Sequence, residues 1–266
     1  MKSLSVVIVN HNTKDLLSDC LNSLKKHPPM GQEVIVVDNC SSDGSVGFLK
    51  KQKGVRVVFN FDNLGFAKAV NQGLKLAEGE YCLLLNSDTI VGPGDLQSMI
   101  DFAKQHPDLG ALGTCLLNPD GTVQSSCSRF PTIRGAIKEF FLKQKGAFLK
   151  YAPRQDKASL VDVIVGAVFL IPRKVIEEIG VLDERFFMYF EDFDYCRRIK
   201  KAGLKVYYLP KVKILHRHGA SAQKKANQPN QWLVASSKIY HGLLRYCLIT
   251  FIIWGGQKWG KLKKIF

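Results

Sequence analysis

Acidic residues are missing from the last quarter of the chain. Beyond Asp194 there is neither Asp nor Glu, although residues 196–266 carry 16 Lys and Arg. Residues 1–195 hold the other 22 basic residues against all 23 acidic ones, so the formal charge of +15 resides at the C-terminal end. Long hydrophobic runs are also lacking. A membrane-spanning helix needs about 20 apolar residues, and the nearest approach, residues 246–256 (YCLITFIIWGG), has roughly half that length. The apolar run near the N-terminus is too short for a secretory leader. CxxC spacing is absent and the cysteine number, seven, is odd. Reduced thiols packed as small hydrophobes are therefore expected, in a cytoplasmic protein. Repeats and low-complexity tracts are missing too. With 46% apolar residues the chain can bury a core, which excludes disordered, collagen-like and disulfide-scaffold classes.

What is present is an alternation of short apolar runs with helical patterns. Residues 4–9 (LSVVIV), 33–37 (EVIVV), 55–59 (VRVVF) and 81–85 (YCLLL) read as strands buried on both faces. Between them, residues 14–26 place Leu16, Leu17, Cys20, Leu21 and Leu24 on one stripe behind Thr13 or Asn12 as N-cap. Residues 66–77 do the same with Ala69, Val70, Gly73, Leu74 and Ala77. Such alternation predicts right-handed crossovers and a parallel sheet. Further on, Asn118-Pro119-Asp120-Gly121 predicts a hairpin turn. Residues 160–171 predict a strand interrupted at Gly166-Ala167, followed by a helix after Pro172. Another helix is expected over 193–202, ended by Gly203, and a strand over 205–209 leads towards His216 and His218.

Ligands of parallel sheets bind at the carboxyl ends of the strands. There the sequence delivers Asn10-His11-Asn12, Asp38-Asn39, then Asn60, Asn63 and Gly65, and finally Asn86-Ser87-Asp88. Turn chemistry alone favours Asn and Asp at any one strand end; four ends in succession point to a polar ligand cleft. Glu191, Asp192 and Asp194 open a helix. Carboxylates there complement the helix dipole, and their mutual repulsion also suits one of them to act as a base.

The segments VVIVNHN (6–12), VIVVDNCSSDGS (34–45), NLGFAKAVNQG (63–73), LLLNSDT (83–89), VGAVFLIPR (165–173) and GVLDERFFMYFEDFDYCRRIKKAG (180–203) resemble, in order, the family 2 inverting glycosyltransferases of the bacterial rhamnosyltransferase-like branch. The resemblance covers most of residues 4–220. It implies a GT-A fold for residues 1–222: a Rossmann-like, mostly parallel central sheet flanked by helices, with a nucleotide-binding half to about residue 115 and an acceptor half over 116–222. It implies a UDP- or dTDP-linked sugar donor, a glycan or lipid-linked glycan acceptor, and Mg²⁺ or Mn²⁺. By the same resemblance Asp192 is the catalytic base, with Glu191 orienting it or touching acceptor, and Asp38 reads the nucleobase. Asn10, Asn12, Asn63, Gly65, Asn86 and Ser87 line the nucleotide-sugar site, and Gly166-Ala167 leaves room for the donor sugar. Asp88 and His216 are the implied metal ligands. Where the family carries Asp-x-Asp the chain has Asn86-Ser87-Asp88, so only one acid is present. That departure motivates an alternative reading, a catalytically weak module binding nucleotide sugars or polyanions.

The resemblance does not reach residues 223–266. There, lysines and arginines interleave with Trp232, Tyr240, Tyr246, Phe251, Trp254, Trp259 and Phe266. Basic residues beside aromatics, without a spanning length, suit a basic amphipathic helical extension lying on an anionic membrane. A helix covering the body with a solvated basic end is the plainer account. Phosphate backbones attract the same composition, but a nucleic-acid partner is not expected. The membrane reading places the chain at the inner face of the cell membrane, in surface polysaccharide synthesis.

Overall fold

The computed structural model describes residues 2–217 and 228–262. The chain runs β1 (Leu4–Asn10), α1 (Lys14–Lys26), β2 (Gln32–Asn39), α2 (Ser45–Leu49), β3 (Val55–Asn60), α3 (Phe66–Leu76) and β4 (Tyr81–Asn86). There follow β5 (Thr89–Ile90), α4 (Asp95–Gln105), β6 (Leu109–Leu117), β7 (Cys127–Ser128), α5 (Ile133–Phe140), β8 (Ser159–Leu160), β9 (Val163–Ile164) and β10 (Val168–Pro172). The last elements are α6 (Arg173–Ile179), α7 (Glu191–Lys201), β11 (Lys205–His216), α8 (Gln228–His241) and α9 (Leu243–Leu262).

The main sheet has the order β3-β2-β1-β4-β10-β6-β11-β5, with β8 also pairing β11. Strands β3, β2, β1 and β4 are mutually parallel, as the alternating pattern predicts. β10 is antiparallel to both β4 and β6, so the sheet is mixed. This reversal matters for the site. Because Val168 faces Leu85, the residues that precede β10 stand at the carboxyl end of β4, where the Asn86 N–H donates to the Ala167 carbonyl at 2.9 Å. The final strand outruns its expected end at 209. It continues past an irregularity between Leu209 and Lys213 and pairs His216 with Thr89.

Strand β1 is buried almost throughout, because helices cover both faces of the sheet. Leu17, Leu21 and Leu24 of α1 and Met99 and Ile100 of α4 pack on one face. Ala67, Val70 and Leu74 of α3 and Tyr195 and Ile199 of α7 pack on the other. Each fully buried aliphatic side chain stabilises the fold by about 1.5–3 kcal/mol. All seven cysteines are free and five are buried; burial pushes the Cys20 and Cys127 thiols up to about 12.

The C-terminal helices dock on this body. Trp232 of α8 meets Phe187 at 4.9 Å between ring centroids, Tyr240 meets Phe190 at 5.2 Å, and the Ser236 hydroxyl donates to the Met188 carbonyl. Helix α9 lies against α5, where a Cβ at Gly256 would come within 2.5 Å of Phe140 Cβ. The division near residue 115 falls inside β6, and the boundary at 222 lies outside the described residues, as does His218.

Candidate active site

Asn10 and Asp38 face each other because β1 and β2 are in register there. Asn10 Nδ2 donates to Asp38 Oδ1 at 2.8 Å, and the Ser41 N–H donates to Asp38 Oδ2 at 3.0 Å. The carboxylate is only 1% exposed. Asn10 Oδ1 in turn accepts from Thr13, whose hydroxyl lies 2.8 Å from that of Ser87. One buried chain of hydrogen bonds therefore joins Ser41, Asp38, Asn10, Thr13 and Ser87 across three strand ends. Thr13 is the N-cap residue of α1 by position, but its side chain does not cap. Asp43 does so instead, accepting the Lys14 N–H at 2.8 Å. Asn12 adopts φ 56° and receives the Ser42 N–H at 2.7 Å. The turn that follows β2 is thus lashed to the turn that follows β1, and a base or ribose entering here meets a preorganised rim.

Asn63 and Gly65, expected to line the nucleotide-sugar site, are engaged in the chain's own backbone and side-chain contacts. Asn63 Oδ1 accepts from Asn39 and from the Gly65 N–H, and Asn39 Oδ1 accepts from Asn60 and the Leu64 N–H. The first amide of α3, Phe66 N–H, donates to the Phe187 carbonyl at 2.6 Å. Gly65 has φ 83°, and a Cβ there would come within 2.6 Å of that same carbonyl oxygen. The close approach that glycine permits is to the chain's own backbone. It clamps the segment leading into α7.

Asp88 and His216 meet at the other end of the cleft, with Nε2 3.3 Å from Oδ1 and both side chains buried. Gln124 holds the ring. Its Nε2 donates to the His216 carbonyl at 2.6 Å, and its Oε1 lies 2.9 Å from Nδ1. That amide orientation requires Nδ1 to carry a proton. The ring therefore turns Nε2 towards Asp88, either as a protonated partner or as a lone pair beside a carboxylate. An imidazole lone pair and a carboxylate oxygen side by side fit a divalent cation whose remaining positions are filled by substrate phosphate. Among the described residues, no group of three or more His, Cys, Asp or Glu is placed to hold a metal ion, so the protein side of such a site is small. Asn86 contributes backbone here: its N–H pairs with Ala167 and its carbonyl accepts the Thr89 hydroxyl.

Asp192 and Glu191 open α7 beside Gly166. Asp192 is half-buried, and its Oδ1 accepts the Phe193 N–H at 2.8 Å. Burial holds its carboxyl above the usual range, opposed by the Lys150 charge and by the Phe193 and Gly166 amides. Glu191 is buried, and its Oε2 has no hydrogen-bond partner. With Asp192 it borders a cavity of about 10 Å³ walled by Phe66, Leu84, Phe169 and Leu182. Burial first, and the Asp192 charge second, push the Glu191 carboxyl up to about 8. The adjacent Tyr189 and Phe190 both lie in the left-handed region, at φ 71° and 68°. Two bulky residues there in succession are strained by about 1–3 kcal/mol each. The Phe66 N–H and Trp232 hold Phe187, Ser236 holds Met188, and Tyr240 packs on Phe190. Asp194 is structural, as its spacing suggests, pairing with Arg197 and Arg198 at 2.8 and 2.9 Å.

The residues that sequence reasoning passed over are positioning groups. Thr13 was read as a cap and Asn39 as a strand end, and each turns out to be a hub. Gln124 and Lys150 lie in the irregular middle of the chain, where no periodicity marks them.

The order of these strand ends and the GT-A sheet is that of a known family. The glycosyl transferase family 2 model matches residues 5–180. The chain belongs to glycosyl transferase family 2. It sits in the rhamnosyltransferase-like branch of that family and is a glycosyltransferase. It is 30% identical to the N-acetylglucosaminyl-diphospho-decaprenol L-rhamnosyltransferase of Mycobacterium tuberculosis, over 88% of this chain and 81% of that one. It is 22% identical to the low-salt glycan biosynthesis hexosyltransferase Agl10 of Haloferax volcanii, over 96% and 83% of the two chains. Among solved structures, the mannosyltransferase PcManGT of Pyrobaculum calidifontis in complex with GDP-Man and Mn²⁺ superposes with a TM-score of 0.63 at 17% identity, covering 96% of this chain and 73% of that one. GalNAc-T7 with UDP, GalNAc and Mn²⁺ gives the same score and identity over 81% and 44%. These superpositions show the fold, a GT-A sheet with a C-terminal helical extension.

Proposed function

We propose that the chain transfers one sugar, rhamnose by preference, from a UDP- or dTDP-linked donor to a lipid-linked glycan with inversion. One observation carries the reading: a half-buried Asp192, with raised proton affinity, stands beside Gly166 at the same sheet edge as the Asn10–Asp38 rim and the Asp88–His216 pair. The donor's base and ribose are held by Asn10, Asp38 and the lashed turns. Asp88 and His216 would hold Mg²⁺ or Mn²⁺, which when bound offsets the charge of the departing diphosphate. Asp192 takes the proton of the acceptor hydroxyl as that oxygen attacks the anomeric carbon from the face opposite the diphosphate. Burial and the Asp192 charge raise the proton affinity of Glu191, which favours Asp192 as the charged member of the pair. Gly166 and Ala167 keep the donor-sugar side of the pocket open; beyond Gly166 the nearest side-chain atom to a Cβ would be Phe66 Cε1 at 3.7 Å.

The mycobacterial relative, an N-acetylglucosaminyl-diphospho-decaprenol L-rhamnosyltransferase, motivates the lipid diphosphate acceptor. No helix among the described residues is long and apolar enough to cross a membrane, and the proposed location is the inner membrane surface, reached through the basic, aromatic extension. The test is transfer by the Asp192→Asn variant. Turnover is expected to fall by about 10²–10⁴-fold, the range of a lost general base, while donor affinity persists. Undiminished turnover would sink the assignment.

A further inference from the structure

A second polar feature lies away from the donor edge. α7, the α8–α9 junction and the stretch before α5 border an open cleft of about 420 Å³, lined among others by Phe130, Arg197, Lys200, Lys201, Tyr240 and Arg245. Four cations face it and no carboxylate is in its wall. Arg197 pairs with Asp194 and lies 4.4 Å over the Tyr240 ring. Lys200 reaches Asp162 at 3.4 Å and lies 5.2 Å from the Phe130 ring centroid. Among the described residues, no ion pair includes Lys201 or Arg245. The neighbouring His241 registers this positive field: burial, then Arg245 and Arg197, push its imidazole down to about 4. Like charges gathered around a concave space attract an anion, and Arg with Lys is the combination that grips phosphate oxygens.

Position selects among anions. Arg245 sits in the first turn of α9, next to the outward-facing Leu244, Leu248 and Phe251, which are 88%, 46% and 66% exposed. The cleft therefore adjoins an exposed apolar stripe. A ligand carrying a phosphate ester and then a hydrocarbon matches that pair of environments.

We propose that this cleft binds the diphosphate of a lipid-linked acceptor, with its hydrocarbon along Leu244, Leu248 and Phe251. The proposal rests on the transferase reading given above. A phospholipid headgroup shares the phosphate chemistry, but four cations around one cleft favour the doubly charged group.

The test uses the full chain in EDTA, with phosphatidylcholine vesicles carrying either farnesyl diphosphate or phosphatidylglycerol. Lys201→Gln and Arg245→Gln are each expected to weaken binding to the farnesyl diphosphate vesicles by about tenfold, equivalent to about 1.4 kcal/mol, and to weaken binding to the phosphatidylglycerol vesicles far less. Both side chains are exposed, so the thermal midpoint is expected to hold. Equal losses on both vesicles would overturn the diphosphate assignment in favour of a headgroup site. Unchanged binding in both variants, or a loss seen only with Asp88→Asn, would overturn the cleft altogether. These readings need no turnover. Cleft-dependent binding by a wild-type chain that transfers sugar to no lipid-linked acceptor would sink the proposed acceptor and leave the phosphate site standing.

Discussion

Asp38 is implied to read the nucleobase, yet its carboxylate already serves two buried donors, Asn10 Nδ2 and the Ser41 N–H. Substitution therefore acts on folding as well as on binding. Asp38→Ala strips the acceptor from both, at about 1–3 kcal/mol for each group left unpaired. We expect unfolding stability to fall by roughly 2–4 kcal/mol, read from the urea midpoint, and an unchanged midpoint would reject the anchoring role. Glu191 behaves oppositely. Its carboxyl is held up at about 8 in the folded chain against an ordinary 4.5, so between those values the folded state binds the extra proton. Stability is then undiminished below about pH 4.5 and declines as the pH climbs towards 8. Glu191→Gln removes the titration. Its thermal midpoint is expected to fall less with pH over that window than the wild type's; identical slopes would show that Glu191 is charged in the fold.

Helix α7 is positioned by the segment 186–190 that leads into it, clamped by α3 on one side and α8 on the other. Gly65→Ala tests the clamp. A Cβ would press on the Phe187 carbonyl and ring, and φ 83° adds about 1–2 kcal/mol of left-handed strain. Displacing Phe187 shifts the start of α7 and the base with it. A displacement of about 1 Å costs on the order of 10² in rate, so turnover is expected to drop about a hundredfold with donor affinity retained. Lost donor affinity at normal turnover would show that Gly65 acts in the nucleotide-sugar site instead. This clamp was not legible in the sequence. Gly65 follows a strand and precedes a helix, as a phosphate-binding glycine does, and its partner Phe187 is more than a hundred residues away. The parallel strands were legible, because burial on both faces leaves continuous β-branched runs such as VVIV. The reversal of β10 was not, since an apolar run carries no direction. Nor was the length of β11, whose Pro210 and irregular register break the pattern that a strand reading relies on. Asp88 and His216 were both legible as strand-end polar residues, but only the pairing of β11 with β5 explains why they meet.

Across the whole molecule the segregation of charge has a spatial counterpart. Acids concentrate in the body, where two of them flank Gly166 and one faces His216. The acid-free extension does two things: α8 braces the strained approach to α7, and α9 caps α5 through Gly256 while turning Leu244, Leu248, Phe251 and Trp254 outward. The extension is thus both cover and exposed surface, and truncating it would confound the two. Point changes on the outward stripe separate them. Transfer of a Leu or Phe side chain from water stabilises by about 1.5–3 kcal/mol, and each nearby Lys or Arg adds about 1 kcal/mol at an anionic leaflet. Leu244→Ser with Phe251→Ser is therefore expected to lower partitioning onto phosphatidylglycerol-containing vesicles by about 10²-fold or more, with the thermal midpoint preserved because neither side chain is buried. Binding that survives these changes but vanishes in high salt would show that the lysines and arginines alone hold the chain at the surface, since screening weakens exposed charge but leaves apolar burial intact. Sedimentation unaffected by both treatments would reject the membrane contact and leave α9 as a cover for α5.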